Sequence, residues 1–202
     1  MSHRPAPTTN DPAPALPLLS DTTICTNRLT LTALVVDDAD EMVHVLDDEG
    51  LHEFIGGRPA TIGQLRDRYR RLVAGPLTPD QRWLNWIVRR GRDQVPIGAI
   101  QATIFLADGH MVSAEVAWVI NRSRQGQGFA TEAARAVVAW LRSHGVTRLC
   151  ANVHPGNHAS AVVAGRVGLR PTSDEHEGET VWRSDHRLAL DAGASASEDQ
   201  GR

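Results

Sequence analysis

Residues 27–34 alternate apolar and polar side chains, a period of two that predicts a half-buried β-strand. After this strand the apolar positions change to the helical spacing of three to four residues. Asp38 is placed to cap a first helix, and Gly50 is placed to end it. The apolar face of this helix would consist of Met42, Val43 and Leu46.

A second helix is predicted to begin at Thr61, because Thr61 and Gln64 have the spacing of a capping box. The pair Gly75 and Pro76 is placed to end it. Its predicted apolar face consists of Ile62, Leu65, Tyr69, Leu72 and Val73.

Three strand-like segments follow, over residues 83–89, 97–106 and 113–120. Residues 107–110 (ADGH) separate the last two and suit a hairpin loop. We therefore expect the three strands to form an antiparallel meander.

The strongest helical period of the chain lies over residues 129–141, and Gly145 is placed as its left-handed stop. A strand over residues 147–153 follows. Asn157 is placed to cap a short helix that Gly168 ends.

Residues 180–190 supply one or two closing strands. Strands and helices therefore interleave, which predicts an α/β (α+β) domain with a central mixed, mostly antiparallel sheet flanked by helices. Helical connections in the second half imply at least one parallel strand pair there. Ligands favour the carboxyl ends of such strands, so we expect a crevice after Ile120.

The 202 residues suffice for one domain, expected over residues 24–190. Residues 1–23 are rich in proline and lack the pattern of a secretory signal, and residues 191–202 are polar; both are expected to be disordered tails. With no long apolar stretch and only two cysteines, the composition favours a cytoplasmic protein without a membrane partner. The net charge of −3 argues against nucleic acid as a partner. The oligomeric state stays open, with a homodimer among the alternatives.

The most informative segment is RQGQGFA, residues 124–130, which lies between a predicted strand and the helix over residues 129–141. A helix N-terminus offers unpaired N–H groups, and Gly126 and Gly128 let the backbone approach an anion closely. This glycine loop is therefore expected to bind a phosphate group. A tight connection with no ligand is the alternative interpretation.

Two other phosphate loops do not fit this spacing. A Walker loop needs a Gly-Lys-Ser/Thr end, and the chain contains no lysine. A dinucleotide fingerprint starting at Gly126 needs glycine where Thr131 stands, and the loop follows a hairpin strand. A nicotinamide-dependent enzyme is therefore disfavoured.

The glycine loop resembles the acetyl-CoA loop of the GCN5-related N-acetyltransferase (GNAT) superfamily, whose pattern is Gln/Arg-x-x-Gly-x-Gly/Ala. Gln125, Gly128 and Ala130 match this pattern. The wider run GQGFATEA, residues 126–133, is similar to the branch of ribosomal-protein alanine N-acetyltransferases (RimJ/RimL-like).

A second motif of that branch, Asn-x-x-Ser followed by a helix and Gly-Phe, also has a counterpart. Asn157, Ser160 and Gly168 match it, while Leu169 replaces the usual phenylalanine. With the order of elements, the resemblance covers residues 28–190.

The resemblance implies acetyl-CoA as donor, no metal, and transfer to a primary amine of a protein N-terminus or a small molecule by direct attack in a ternary complex. It also implies that the backbone of the glycine loop holds the pyrophosphate and that the splayed end of the 113–120 strand takes the pantetheine arm. The implied cofactor-binding residues are Val119, Ile120, Arg124, Gln125, Gly126, Gln127, Gly128, Phe129, Ala130, Thr131, Asn157 and Ser160.

The departing thiolate accepts a proton, and many relatives supply it from a tyrosine in the second motif. Here Ala164 stands at that position, and the only tyrosine, Tyr69, falls in an early helix. Ser160 is the catalytic candidate that remains near the sulfur. Its alternative role is that of a first-turn residue beside the Asn157 cap.

Glu115 is the candidate base for the amine proton, because its strand places it on one face with Ala117 and Val119, where a carboxylate needs a role or a partner. A salt bridge to an arginine is the alternative. His154 and His158 flank the second motif and are expected to be bystanders.

Two arginine clusters, at residues 66–71 and 89–92, are expected to be solvated faces, with recognition of an acidic substrate or the CoA 3′-phosphate as alternatives. The resemblance also implies that residues 37–82 determine the acceptor, because the segment between the first two strands varies with the acceptor in that superfamily. Two rival functions remain. One is a non-catalytic acyl-CoA-binding regulatory domain, favoured by the missing tyrosine and by Leu169; the other is a nucleic-acid-binding module, which the net acidity disfavours.

Overall fold

The structure is a computed structural model that describes residues 22–184. Its strands are β1 (Ile24–Cys25), β2 (Leu29–Ala33), β3 (Gln81–Arg90), β4 (Pro96–Ala107), β5 (His110–Ile120), β6 (Arg148–Val153), β7 (Leu169–His176) and β8 (Glu179–Ser184). Its helices are α1 (Ala39–Val45), α2 (Glu49–Ile55), α3 (Ile62–Ala74), α4 (Phe129–Ser143) and α5 (His158–Arg166). The predicted tails, apart from residues 22 and 23, and the closing segment 185–190 lie outside the described residues.

The eight strands form one sheet in the order β1-β2-β3-β4-β5-β6-β8-β7. Every neighbouring pair is antiparallel except β5 and β6, which run parallel. The parallel pairing extends only from Ser113 opposite Arg148 to Glu115 opposite Cys150. Since β5 continues to Ile120, the two strands diverge beyond Glu115 and open a gap in the sheet.

Helices cover both faces of the sheet. α4 packs against β5 and β2 and buries the apolar face that the sequence predicts, including Ala133, Val137 and Leu141. On the opposite face, α1 packs against α3 and β4, and α3 also contacts β3. This arrangement confirms the predicted fold class, the antiparallel meander and the parallel pair in the second half.

Local signals in the sequence identified several boundaries correctly. The capping box of α3 is present, with the Gln64 N–H donating to Thr61 Oγ1 over 3.3 Å and the Thr61 N–H donating to Gln64 Oε1 over 2.9 Å. The β4–β5 hairpin turns at Asp108 and Gly109, both with positive φ. Gly145 also has the positive φ expected after α4.

Three predictions about helices were wrong. Gly50 does not end the first helix: α1 ends at Val45, and Gly50 lies inside α2, whose cap Asp48 accepts a hydrogen bond from the Gly50 N–H over 2.8 Å. Asp38 precedes α1 without a side-chain capping bond to that helix. Its carboxylate instead accepts a hydrogen bond from the Val35 N–H over 2.8 Å and pairs with Arg89 at 2.7 Å. Two members of the predicted apolar face of α3, Ile62 and Val73, are exposed.

Two strands were not predicted. β1 is only two residues long, too short to show alternation. β7 begins directly after the stop of α5 and carries mostly polar, exposed side chains, so its hydrophobic pattern is weak.

Candidate active site

The glycine loop leads into α4 and presents a row of free backbone donors. Gly126 and Gly128 adopt left-handed conformations with φ of 73° and 80°, which explains why glycine is required at both positions. Within residues 22–184, no hydrogen-bond acceptor pairs with the backbone N–H groups from Gly126 to Thr131. With the positive end of the α4 dipole, these groups form an anion-binding cradle.

Arg28, the residue before β2, binds both the glycine loop and the first turn of α4. Arg28 donates from Nε to Glu132 Oε2 over 2.7 Å and from Nη1 to the Gln127 carbonyl over 3.1 Å. Its guanidinium also lies 4.6 Å from the centre of the Phe129 ring. Thr26 Oγ1 completes the contact by donating to Glu132 Oε1 over 2.6 Å.

The contacts with Thr26 and Arg28 change the pKa of Glu132. Burial alone raises the pKa of the carboxyl, but the hydrogen bonds from Thr26 and Arg28 outweigh that effect and hold the pKa below its ordinary value. Glu132 therefore stays ionised and keeps the first turn of α4 attached to the N-terminal strands.

A first cavity of about 450 Å³ opens at this cradle. It is lined by the glycine loop, the end of β5 and the residues at the start of α5, and α2 forms a further wall. All the cofactor-binding residues predicted from the sequence line it except Gln127, whose carbonyl faces Arg28. The structure thus brings the two predicted motifs together around one space.

A second cavity of about 280 Å³ lies on the α3 side of the sheet. Residues that line both cavities are Phe54, Trp118, Val119, Asn157 and Ser160. The two spaces therefore share a wall at the gap between β5 and β6.

Ser160 occupies this shared wall at the start of α5. Its backbone N–H donates to Asn157 Oδ1 over 3.0 Å, so Asn157 caps the helix as predicted. The Ser160 hydroxyl has no hydrogen-bond partner in the described part of the chain. It is therefore free to donate to a ligand between the cavities.

Glu115 lines neither cavity. Its Oε1 accepts a hydrogen bond from Asn152 Nδ2 over 3.2 Å, and Asn152 does line the second cavity. No arginine pairs with Glu115 within residues 22–184, so the described part of the chain gives no support to the alternative of an arginine salt bridge. The negative charge of Glu115 has one visible effect: after burial, it is the second cause that raises the pKa of Cys150 to about 11.

The face of β5 that carries Glu115 differs from the apolar face that the sequence suggested. Ala117 is exposed and Val119 half-buried, whereas Ala114 and Val116 on the opposite face are fully buried in the core. A carboxylate on the open face needs no special partner, which weakens the sequence argument for Glu115.

Comparison with known proteins identifies the fold and the family. The family model of the GNAT acetyltransferase domain matches residues 28–187. The chain belongs to the GNAT acetyltransferase family. It is an N-acetyltransferase whose donor is acetyl-CoA, and the anion-binding cradle at the glycine loop is consistent with that donor.

Solved GNAT structures share this fold. A GNAT-family acetyltransferase from Bacillus anthracis is 19% identical with a TM-score of 0.63, over 80% of this chain and 95% of that one. The aminoglycoside acetyltransferase AAC(6')-Ib, in complex with CoA and kanamycin, is 18% identical with a TM-score of 0.64, over 83% and 99% of the two chains. At these identities the similarity shows the fold alone. A search of curated proteins finds no match.

Several residues of this GNAT site were not identified from the sequence. Tyr69 was assigned only to a helix face, yet it lines the second cavity together with Phe54 and His154. Phe54 belongs to α2, which was not predicted, and its ring centre lies 5.5 Å from that of His154. The period of α3, which placed Tyr69 on one face with Leu65, was the only available signal.

His154 was expected to be a bystander, and its hydrogen bond limits what it can do. Its Nδ1 accepts from the Gly156 N–H over 3.1 Å, so the neutral ring carries its proton on Nε2. The imidazole can therefore donate to a ligand in the second cavity, whereas its acceptor nitrogen is already used.

No helix among residues 22–184 has the length and apolar character needed to span a membrane.

Proposed function

We propose that this GNAT enzyme transfers the acetyl group directly to a primary amine, carried by a protein N-terminus or a small molecule, while both substrates are bound in a ternary complex. The observation that carries this proposal is the wall shared by the two cavities at Trp118 and Ser160. Two separate molecules can occupy the two spaces and meet at the gap between β5 and β6. Such an arrangement favours direct attack, because it holds the reacting groups close together.

The residues of the first cavity suit acetyl-CoA, which supplies an activated acetyl group. The free N–H groups from Gly126 to Thr131 would hold the pyrophosphate. Beyond Glu115, the edge of β5 that faces β6 lacks a strand partner, and its backbone groups would bond the amides of the pantetheine arm. Gln125 keeps the loop close to this strand, since its Nε2 donates to the Ile120 carbonyl over 2.9 Å.

Two residues would assist the transfer. The Ser160 hydroxyl would donate a hydrogen bond to the sulfur of the departing CoA thiolate, which leaves as the anion, because the hydroxyl lies on the shared wall and has no other partner among the described residues. Glu115 lies two residues beyond Ala117, roughly 7 Å along the strand, so it would accept the amine proton through water rather than directly.

A solved protein of the same fold binds CoA and a second molecule together, which agrees with the proposed ternary complex. AAC(6')-Ib, which shares the fold, has been solved with ribostamycin and CoA bound together, with a TM-score of 0.66 to this chain. The alternative, a non-catalytic acyl-CoA-binding regulatory domain, is favoured by Ala164, which is fully buried at the position of the usual acid.

The test compares two substitutions at Ala130, a helical residue of the first turn of α4 that lines the first cavity. Ala130→Glu places a negative charge at the cradle but suits a helix N-terminus, so the fold should be retained. We expect it to weaken acetyl-CoA binding by at least about 30-fold, equivalent to about 2 kcal/mol, whereas Ala130→Gln, of similar size, should weaken it far less. Titration calorimetry measures both affinities.

Absence of acetyl-CoA binding by the wild-type protein, or equal binding by both variants, would contradict the proposed donor site. Binding with no turnover on a panel of primary amines would favour the regulatory alternative instead. Transfer to an amine at a rate that saturates in both substrates, with sequential kinetics, is the expected result.

A further inference from the structure

The residues that line the second cavity indicate what kind of acceptor it binds, an inference that rests on the function proposed above. It crosses the sheet from α3 to the start of β8. Its floor includes Asn85, Gln101 and Ala117, which are direct neighbours on β3, β4 and β5 in the observed register. Adjacent strands lie about 4.8 Å apart, so this row spans roughly 10 Å.

The α3 end of this cavity concentrates unused hydrogen-bond donors. Arg68 and Tyr69 line it from α3, and Asn85 and Gln101 line it from the sheet. Within the described residues, none of these four side chains makes a hydrogen bond or an ion pair. Donors left free at the surface of a cavity are available to a ligand.

Two neighbours of Arg68 in the same cluster are paired, whereas Arg71, which is also unpaired within residues 22–184, does not line this cavity. Arg66 pairs with Asp40 at 2.7 Å, and Arg70 pairs with Asp67 at 2.5 Å. The arginine cluster is therefore not a uniform solvated face: the structure pairs two of its members and turns Arg68 to the cavity.

Tyr69 adds a second donor beside Arg68. Burial raises the pKa of its phenol to about 12, although the charge of Arg68 lowers it in part. The hydroxyl is therefore protonated at neutral pH and can donate to an anion.

Negative charge is scarce in this cavity. Glu179 at the start of β8 is its single acidic lining residue, and it lies at the opposite end from Arg68. A polycationic acceptor gains affinity and specificity from several carboxylates, which this cavity does not provide.

We infer that the acceptor is an acidic molecule whose primary amine lies about 10 Å from an anionic group that Arg68 and Tyr69 bind. The amine would lie near Ala117 and Ser160, where the two cavities meet. Asn85 and Gln101 would bond amide or hydroxyl groups between the two ends of the molecule. Polyamines and aminoglycosides are poor acceptors in this arrangement.

The experiment uses the full chain and three synthetic peptides with free N-termini, identical except for glutamate, glutamine or lysine at the third position. The side chain of a third residue reaches about 10 Å from the terminal amine. We expect kcat/KM to favour the glutamate peptide over the lysine peptide by at least tenfold. Spermidine and kanamycin serve as polycationic probes and should be acetylated less efficiently than the glutamate peptide.

The matched variants lie on one helix. Arg68→Gln should raise KM for the glutamate peptide about tenfold, leave kcat nearly unchanged, and reduce the preference over the lysine peptide to within about twofold. Arg70→Gln removes a charge that is paired with Asp67 outside the cavity and should leave the preference intact. A general loss of stability would affect both variants and would not select between peptides.

Several results would overturn the inference. Higher kcat/KM for the lysine peptide, spermidine or kanamycin would overturn the acidic acceptor while leaving the proposed acetyl transfer in place. An unchanged glutamate preference in Arg68→Gln would remove Arg68 from acceptor binding. Acetyl-CoA binding without turnover of any probe would overturn both the acceptor inference and the proposed function.

Discussion

Gly98 lies where β4 passes closest to the end of β5, and this contact can be tested directly. A Cβ atom at Gly98 would lie 2.1 Å from the Val119 carbonyl oxygen and 2.8 Å from Ile120 Cδ1. An ordinary C···O contact is about 3.3 Å, so Gly98→Ala requires the two strands to separate by about 1.2 Å. The obstacle is backbone, which cannot turn aside like a flexible side chain.

The expected change in the free energy of unfolding of Gly98→Ala has two opposing contributions. Overpacking of this kind costs about 1–3 kcal/mol, and the severity of the contact places Gly98→Ala near the upper end. Replacing glycine also reduces the entropy of the unfolded chain, which stabilises the folded state by about 0.4–1 kcal/mol. We therefore expect the free energy of unfolding to fall by about 2 kcal/mol, measured by urea denaturation.

The same displacement should affect binding, because Val119 lines both cavities. Loss of one backbone hydrogen bond to the pantetheine arm corresponds to about a tenfold increase in the acetyl-CoA dissociation constant. Gly63→Ala is the control: nothing lies within 4 Å of a Cβ there, and Gly63 is in α3. It should raise stability by about 0.5 kcal/mol without changing acetyl-CoA affinity.

Wild-type stability and wild-type acetyl-CoA affinity in Gly98→Ala would show that β4 and β5 are not packed as described. Reduced stability with unchanged affinity would show instead that the end of β5 does not contact acetyl-CoA.

Three further predictions concern ion pairing and catalysis. Glu132→Gln should lower the free energy of unfolding by about 1 kcal/mol at pH 7, because it weakens the contacts with Thr26 and Arg28. Folding lowers the pKa of Glu132, so its contribution to stability is present above the ordinary pKa of 4.5 and is lost as the pH falls through the lowered pKa. Urea titrations at several pH values measure the difference in the free energy of unfolding between wild type and variant. A difference that stays constant down to pH 3 would refute this contribution. Ser160→Ala should lower kcat about tenfold with little change in the KM for acetyl-CoA, and an unchanged kcat would leave Ser160 as a helix residue only. Glu115→Gln should lower kcat/KM about tenfold, and an unchanged kcat/KM would exclude it as the base.

The features that sequence predicted well depend on residues close together in the chain. The capping box of Thr61 and Gln64 and the hairpin turn at Asp108 and Gly109 are complete within four residues. The anion cradle is similar, because the conformations of Gly126 and Gly128 and the free N–H groups of a helix start arise locally.

The features that sequence missed depend on contacts between distant segments. Asp38 had the spacing of a helix cap, but its carboxylate bonds the Val35 N–H and Arg89 on β3, and the contact with Arg89 is one that no local pattern shows. Tyr69 reaches the second cavity only because α3 packs across β3, and its position in an early helix gave no indication of this. Glu115 appeared to share an apolar face because the sequence does not indicate which part of the sheet the helices leave open.

The gap between β5 and β6 explains why both local sequence signals and contacts between distant segments are needed to describe the site. The two strands pair over three residues, from Ser113 to Glu115, although β6 continues to Val153. Pairing along the whole of β6 would occupy the β5 backbone as far as Trp118 and close the wall that joins the two cavities. The glycine loop would still bind an anion, since its donors are local, but no acceptor would reach the acetyl group. The sequence therefore contains the proposed donor site in a recognisable form, while the proposed acceptor site depends on the opening of the sheet beyond Glu115.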